Sequence, residues 1–201
     1  MNTNFSVSGI AMAVAIATIT FLSARGDEKR PQVIQLSSDA KALKSQFNQD
    51  RDHPRLLLFV SPTCPACVKG ARVIHEEVLS EIDDDQLRVY VVWEPILPRD
   101  SFKEARDSAR QVTDPRASQY WLPDRKLAMA FMKPLGLKRM PAWDVYLAYP
   151  QDILWEAEVP DPVFFSHQLP ELPDKTRLEG KAFVRQLRSL LQSPSSKTNR
   201  D

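Results

Sequence analysis

Apolar residues along the chain form two short continuous runs, separated by a stretch in which they recur on one side of a helix. The runs at 55–61 and 87–93 are rich in leucine, valine and aromatic residues, which is typical of strands buried on both faces. The stretch from 64 to 82 is predicted as a helix, and its core-facing residues are Val68, Ala71, Val78, Leu79 and Ile82. A strand, a helix and a second strand in this order predict a right-handed unit with parallel strands.

The rest of the pattern adds helices and a second group of strands. The other predicted helices are 39–49, 101–112, 124–135 and 178–191. The other predicted strands are 118–122, taken as a short edge strand, and 143–149 and 153–158, taken as a tight hairpin. A proline-rich loop is expected over 159–175. Together these elements predict an α/β domain in which helices cover both faces of a mixed central sheet.

The N-terminal region reads as an export signal or a membrane anchor. The first 24 residues contain no Lys, Arg, Asp or Glu, and 5–24 is long enough to cross a bilayer at roughly 20 residues. The basic residues Arg25, Lys29 and Arg30 follow it, a bias that by the positive-inside rule favours a cytoplasmic domain. We nevertheless expect an extracytoplasmic protein, periplasmic or secreted. The predicted division is a signal peptide or anchor at 1–24, a polar tether at 25–32, one domain at 33–192 and a flexible tail at 193–201.

Charge and cysteine content exclude two classes of protein. The chain has 27 basic and 26 acidic residues, a formal net charge of +1, so it has no electrostatic basis for binding nucleic acid. Its only two cysteines, Cys64 and Cys67, allow at most one intramolecular disulfide, which excludes a scaffold held together by several disulfides.

The two cysteines stand where a buried strand meets the start of a helix. The helix dipole and free N–H groups there favour a thiolate on Cys64, and Cys67 lies one turn further along the same face. Pro65 suits the first position of a helix, where its missing N–H costs nothing. This layout predicts thiol–disulfide exchange with protein thiols or disulfides and a redox partner protein, with Cys64 attacking and Cys67 resolving the mixed disulfide. No cofactor is expected.

The order of elements around Cys64-Pro65-Ala66-Cys67 resembles the thioredoxin-like superfamily. A second landmark agrees, because Met140-Pro141 stands directly before the strand at 143–149, where thioredoxin-like proteins keep a cis-proline. The resemblance implies a three-layer fold, a cis bond at Pro141 and a substrate groove lined by Met140 and Pro141. It also implies that about 96–123 is a helical insertion before the cis-proline.

The chain departs from the family at a position whose side chain takes part in proton transfer. Thioredoxins keep a buried acid six residues before the first cysteine, and here that residue is Leu58. Glu94, at the end of the second strand, is therefore a candidate proton carrier, and Asp144 has a similar claim. The alternative function is a non-catalytic module that binds or delivers copper, since a cuprous ion accepts two thiolates. A zinc site is not expected, because the sequence offers no further pair of ligands to complete it.

Overall fold

Six strands form one mixed sheet in the described part of the chain. The computed structural model of the protein describes residue 1 and residues 31–192. The strands are β1 (Val33–Gln35), β2 (Arg55–Val60), β3 (Arg88–Trp93), β4 (Ala117–Trp121), β5 (Val145–Tyr149) and β6 (Phe164–His167). They lie in the order β1-β4-β3-β2-β5-β6, with the first four parallel and the last two antiparallel to their neighbours. The parallel pairing predicted for the first strand–helix–strand unit is confirmed between β2 and β3.

Helices cover both faces of this sheet, so the predicted three-layer α/β architecture is confirmed. They are α1 (Lys41–Gln49), α2 (Pro65–Val73), α3 (Phe102–Ser108), α4 (Lys126–Ala130), α5 (Met132–Leu135) and α6 (Gly180–Gln192). Alternate residues of β2 enter two separate cores, Leu58 on one face and Leu57 on the other. The first core joins the sheet to α2, α3 and α6, and the second joins it to α1, α4 and α5.

The helix predicted over 64–82 is helical from 65 to 81, but the type of helix changes along it. After α2, residues Ile74–Val78 form a π-helical turn and Leu79–Glu81 a 3₁₀ turn. The helix predicted over 124–135 is likewise two short helices, α4 and α5, which meet at Phe131. Gly136 ends α5 in the left-handed conformation, at φ 71°, as glycine commonly does at a helix C-terminus.

The strand predicted at the sheet edge lies inside the sheet. Strand β4 pairs with β3 on one side and with β1 on the other. The sequence pattern missed β1 because it has only three residues, two of them exposed, and reads as an extension of the polar tether. The segment predicted as a helical insertion, about 96–123, therefore supplies an interior strand as well as a helix.

The hairpin predicted at 150–152 is wrong, and so is its second strand at 153–158. Strand β5 pairs antiparallel with β2 on one side and with β6 on the other, and β6 lies within the segment predicted as a loop. Residues after β5 fold back across α1 instead. Asn48 bonds both backbone groups of Trp155, donating to its carbonyl at 2.9 Å and accepting from its N–H at 2.8 Å. These two bonds, with the burial of the Trp155 ring beside Phe47, replace strand pairing.

The cis bond predicted at Met140-Pro141 is also wrong. No peptide bond in the described part of the chain is cis, so Pro141 follows a trans bond. The trans form is the lower-energy state of an X–Pro bond by about 0.5–1 kcal/mol, and the loop before β5 is built with it.

Within 31–192, no helix is both long and apolar enough to cross a membrane. Residues 2–24 of the predicted signal or anchor, most of the predicted tether and the predicted tail at 193–201 lie outside the described residues.

Candidate active site

The cysteine pair occupies the first turn of α2, at the end of β2. Cys64 caps the helix with an extended backbone, and Pro65 takes the first helical position as predicted. The Cys64 sulfur accepts a hydrogen bond from the backbone N–H of Cys67 at 3.4 Å. Cys64 is half-buried, whereas Cys67 is completely buried in the first core, and neither is in a disulfide. The pair therefore has one accessible and one shielded sulfur.

Electrostatics separate the two thiols. A hydrogen bond from the Cys67 side chain is the largest cause that lowers the pKa of Cys64, from 9.0 to about 6, and the N–H groups of Cys67 and Ala66 add to it. Burial moves the pKa of Cys67 in the opposite direction, far above its ordinary value, and the bond to Cys64 raises it further. At neutral pH Cys64 is mainly a thiolate and Cys67 holds the proton.

The loop that carries Cys64 is braced from the segment that follows β3. One oxygen of the Asp100 carboxylate accepts bonds from the N–H of Thr63 at 3.0 Å and from its hydroxyl at 2.5 Å. The other oxygen accepts from the Ser61 hydroxyl and from the N–H of Leu97, each at 2.7 Å. Ser108 of α3 donates to the Pro62 carbonyl at 2.8 Å. The segment predicted as an insertion thus fixes the approach to the cysteines, a role that no motif in the sequence signalled.

Asp144 brings a buried carboxylate to the two sulfurs. One ligand atom from each of Cys64, Cys67 and Asp144 lies within 4.8 Å of the others, and Asp144 is 2% exposed. The Tyr146 hydroxyl donates to Asp144 Oδ1 at 2.5 Å. Burial raises the pKa of Asp144, and the contacts with Tyr146 and Cys67 partly oppose that rise.

Gly70 of α2 makes room for the tyrosine. A Cβ atom at Gly70 would overlap the Tyr146 hydroxyl oxygen, so any side chain there would displace it. Asp144 itself has a left-handed backbone, at φ 52°, a conformation that aspartate and asparagine tolerate better than most residues. Its carbonyl accepts the N–H of Gln168 at 3.0 Å. The backbone and the α2 surface together hold Asp144 beside the cysteines.

Glu94, the other predicted proton carrier, is not brought to the cysteines. Trp93 packs into the same core as Cys67, so the next side chain points to the opposite face of the sheet. There one Glu94 oxygen accepts from the Ala128 N–H at 3.3 Å and the other has no partner. Burial raises the pKa of Glu94 well above its ordinary value. The structure therefore brings Asp144, and not Glu94, to the sulfur atoms.

Met140 and Pro141, predicted to line a substrate groove, lie in the loop that leads into β5. Both are half-buried, and Met140 packs against the second core. The same loop continues through Trp143, which contacts both cores, to Asp144. Their role toward a substrate stays a prediction.

Among the described residues, Cys64, Cys67 and Asp144 form the one group of at least three metal-ligating side chains. A cuprous ion prefers soft sulfur ligands, and a carboxylate is a hard one. This donor set fits proton transfer better than it fits copper.

The strand order and the site together define the fold. A Cys-x-x-Cys pair starts the helix after β2, and β2 lies between the parallel β3 and the antiparallel β5. The fold is thioredoxin-like. No protein-family model matches the chain, and no curated protein does.

Some solved structures are distantly similar to the chain, at low identity. MTB dsbF, in its mixed oxidized and reduced forms, has a TM-score of 0.42 and 14% identity, covering 69% of this chain and 81% of that one. A secreted Mycobacterium tuberculosis disulfide oxidoreductase homologous to E. coli DsbE has a TM-score of 0.44 and 10% identity, covering 71% and 85%. A thioredoxin-like protein in the oxidized form has a TM-score of 0.46 and 17% identity, covering 71% and 81%. These likenesses are distant and carry no conclusion about the function of this chain.

Proposed function

We propose that the protein is a thiol–disulfide oxidoreductase that exchanges a Cys64–Cys67 disulfide with protein thiols. The observation that carries the proposal is the asymmetry of the pair. Cys64 is accessible and its pKa lies at about 6, whereas Cys67 is fully buried and its pKa is raised. A nucleophilic outer sulfur and a protonated inner one are what a two-step exchange requires.

The exchange runs in two displacements. The Cys64 thiolate attacks one sulfur of a partner disulfide, forms a mixed disulfide and releases the partner's other sulfur as a thiolate. Cys67 then loses its proton and attacks the Cys64 sulfur. The Cys64–Cys67 bond forms, the bond to the partner breaks, and the partner leaves as a second thiolate. The partner gains two electrons and the cysteine pair loses them; the reverse sequence oxidises a partner.

The direction depends on the reduction potential of the pair, which spans about −270 to −120 mV among proteins with this chemistry. The low pKa of Cys64 stabilises the reduced form, because the thiolate is the species that its surroundings favour. Ala66, between the cysteines, adds no positive charge to that thiolate.

The decisive experiment traps the mixed disulfide. Purified full-length protein is incubated with a disulfide-bonded substrate such as insulin, as wild type and as the Cys64→Ser and Cys67→Ser variants. Wild type should reduce insulin, Cys67→Ser should accumulate a covalent adduct through Cys64, and Cys64→Ser should do neither. An inert wild type that binds one cuprous ion tightly in an anaerobic competition assay would instead support the copper alternative.

We also propose that the domain acts outside the cytoplasm, held near the membrane by its N-terminal segment. The support is in the sequence, where 24 uncharged residues precede a polar tether and the only cysteines form a redox-type pair. The partners would then be proteins whose disulfides form after export, together with a redox partner that resets the pair.

A further inference from the structure

Two observations single out the contact between Asp144 and the cysteine pair. Asp144 is one of two buried acids in the described part of the chain, and one of its carboxylate oxygens lies within 4.8 Å of both cysteine sulfurs. Its negative charge also contributes to the pKa of each neighbouring titratable group. That contribution raises the pKa of Cys67 and Tyr146, and it opposes the lowering of the pKa of Cys64. A group in such contact is placed to exchange a proton with the buried sulfur.

The position of Asp144 can be compared with the position on β2 where thioredoxins keep a buried acid and this chain has none. Leu58 fills the place where the resemblance leads us to expect an acid, and its register partner on β5 is Tyr146. Both side chains enter the same core as Cys67. The Tyr146 hydroxyl donates a hydrogen bond to Asp144. The buried acid is therefore held from β5, the strand that pairs with β2 at Leu58.

We propose that Asp144 accepts the proton of Cys67 when Cys67 attacks the mixed disulfide, and that Tyr146 positions its carboxylate. In this step, which rests on the proposed function, the Cys67 S–H bond breaks and an O–H bond forms on Asp144. The resulting thiolate attacks Cys64, and the partner sulfur leaves with the electron pair of the broken S–S bond. The proton on Asp144 then returns to solvent or to the departing thiolate.

Other groups around Asp144 do not compete for this proton. The titratable groups that face it are Cys64 and Cys67 of α2 and Tyr146 of β5, and the pKa of Tyr146 is raised well above its ordinary value. From beyond β6, Gln168 contributes an amide, which does not titrate. Cys64 is bonded to the partner when Cys67 reacts, so it cannot accept the proton. Asp144 is thus the one proton acceptor among the described groups that face Cys67.

The test separates the two displacements with dithiobis-nitrobenzoate, which releases one coloured thiolate in each. The first release reports attack by Cys64, and the second reports attack by Cys67 on the mixed disulfide. We expect Asp144→Asn to slow the second release by at least tenfold at neutral pH, because general bases typically contribute 10²–10⁴-fold. The first release should keep its pH midpoint at about 6 or below, since a nearby negative charge is removed. Asparagine also accepts the left-handed backbone at this position.

Tyr146→Phe tests the positioning role separately. Its hydroxyl lowers the pKa of Asp144, so its loss should raise that pKa and shift the profile of the second release to higher pH. Rate should recover as pH increases, which a general loss of structure would not produce. Glu94→Gln is the matched control, because it removes a buried carboxylate from the opposite face of the sheet.

The outcomes distinguish the two proposals. A wild type that shows no second release contradicts the oxidoreductase function itself. A wild type that shows both releases, with Asp144→Asn resolving at the same rate, overturns the role of Asp144 alone. A slow second release in Glu94→Gln would also overturn it. If Asp144→Asn fails to fold, an unshifted profile in Tyr146→Phe overturns the positioning role and removes the support for the carboxylate.

Discussion

At the scale of single residues, the chemistry depends on contacts that converge on the Cys64 sulfur. The helix start and the Cys67 side chain favour its thiolate, and its half-buried position leaves it open to a partner. The sequence predicts that Cys64 is the attacking cysteine, because helix position alone distinguishes the two. It could not select Asp144 over Glu94, since that choice depends on which face of the sheet each side chain enters.

Alkylation of the reduced protein should follow the titration of Cys64. We expect the rate with iodoacetamide to rise with pH through a midpoint of about 6 and then level off, because only the thiolate reacts. Mass spectrometry should place the label on Cys64, with Cys67 unmodified until the protein unfolds. Cys64→Ser is the control, and its remaining thiol should react only in denaturant. A midpoint near 9, or equal labelling of both cysteines, would contradict the assignment.

At the scale of elements, the sequence predicts those strands and helices whose apolar pattern is set by neighbouring residues. The apolar runs identified β2 and β3, and the Cys-x-x-Cys turn identified the start of α2. The segment 153–158, wrongly predicted as a strand, has a pattern of apolar and polar residues that suits one. Hydrogen bonds with Asn48 and the burial of Trp155 place it against α1 instead. The short β1 is stabilised by its pairing with β4, a contact more than 80 residues away in sequence that no local pattern records.

Arg55 connects two segments of the chain that are far apart in sequence. Its guanidinium is buried and donates to the carbonyls of Phe47 and Ile153 at 3.0 and 2.9 Å and to that of Pro150 at 2.6 Å. It also lies 4.3 Å from the centre of the Phe47 ring. One side chain at the start of β2 therefore ties the segment after β5 to the end of α1.

Arg55→Met should destabilise the fold by about 2–3 kcal/mol, because three carbonyls lose a charged donor and stay buried. Redox activity of the folded protein should be retained, since Arg55 lies at the opposite end of β2 from the cysteine turn. Urea denaturation gives the free energy of unfolding, and insulin reduction gives the activity. Arg51→Met, at an exposed side chain nearby, is the control. Equal unfolding free energies for the two variants would show that the Arg55 bonds contribute nothing net.

At the scale of the whole molecule, the segment after β3 joins the sheet to the site. It supplies β4 to the interior of the sheet, and Asp100 and Ser108 hold the loop before Cys64. The sequence predicts a helix and a short edge strand in this segment and marks it as an insertion, but it does not predict the contacts with the cysteine loop. Its bracing role depends on hydrogen bonds of Asp100 and Ser108 with residues that are distant in sequence, which no local pattern records.

The location of the domain is the remaining property of the whole chain that the proposed function depends on. Oxidised partners are found outside the cytoplasm, where disulfides persist, so an exported pair would meet them directly. We expect a reporter that is active only outside the cytoplasm to be active when fused after Asp201. Membrane fractionation should recover the product with the membrane, because Leu22 disrupts the small-x-small pattern that cleavage after Ala24 requires.

The control is a chain in which Arg25, Lys29 and Arg30 are replaced by glutamine. These residues form the basic cluster that favours a cytoplasmic domain, so the variant should give at least as much active reporter as the wild type. A reporter that is silent in the wild type and active in the variant would show that the basic cluster sets the orientation. The partners of Cys64 would then be cytoplasmic thiols, and the pair would have to work against a more reducing glutathione pool.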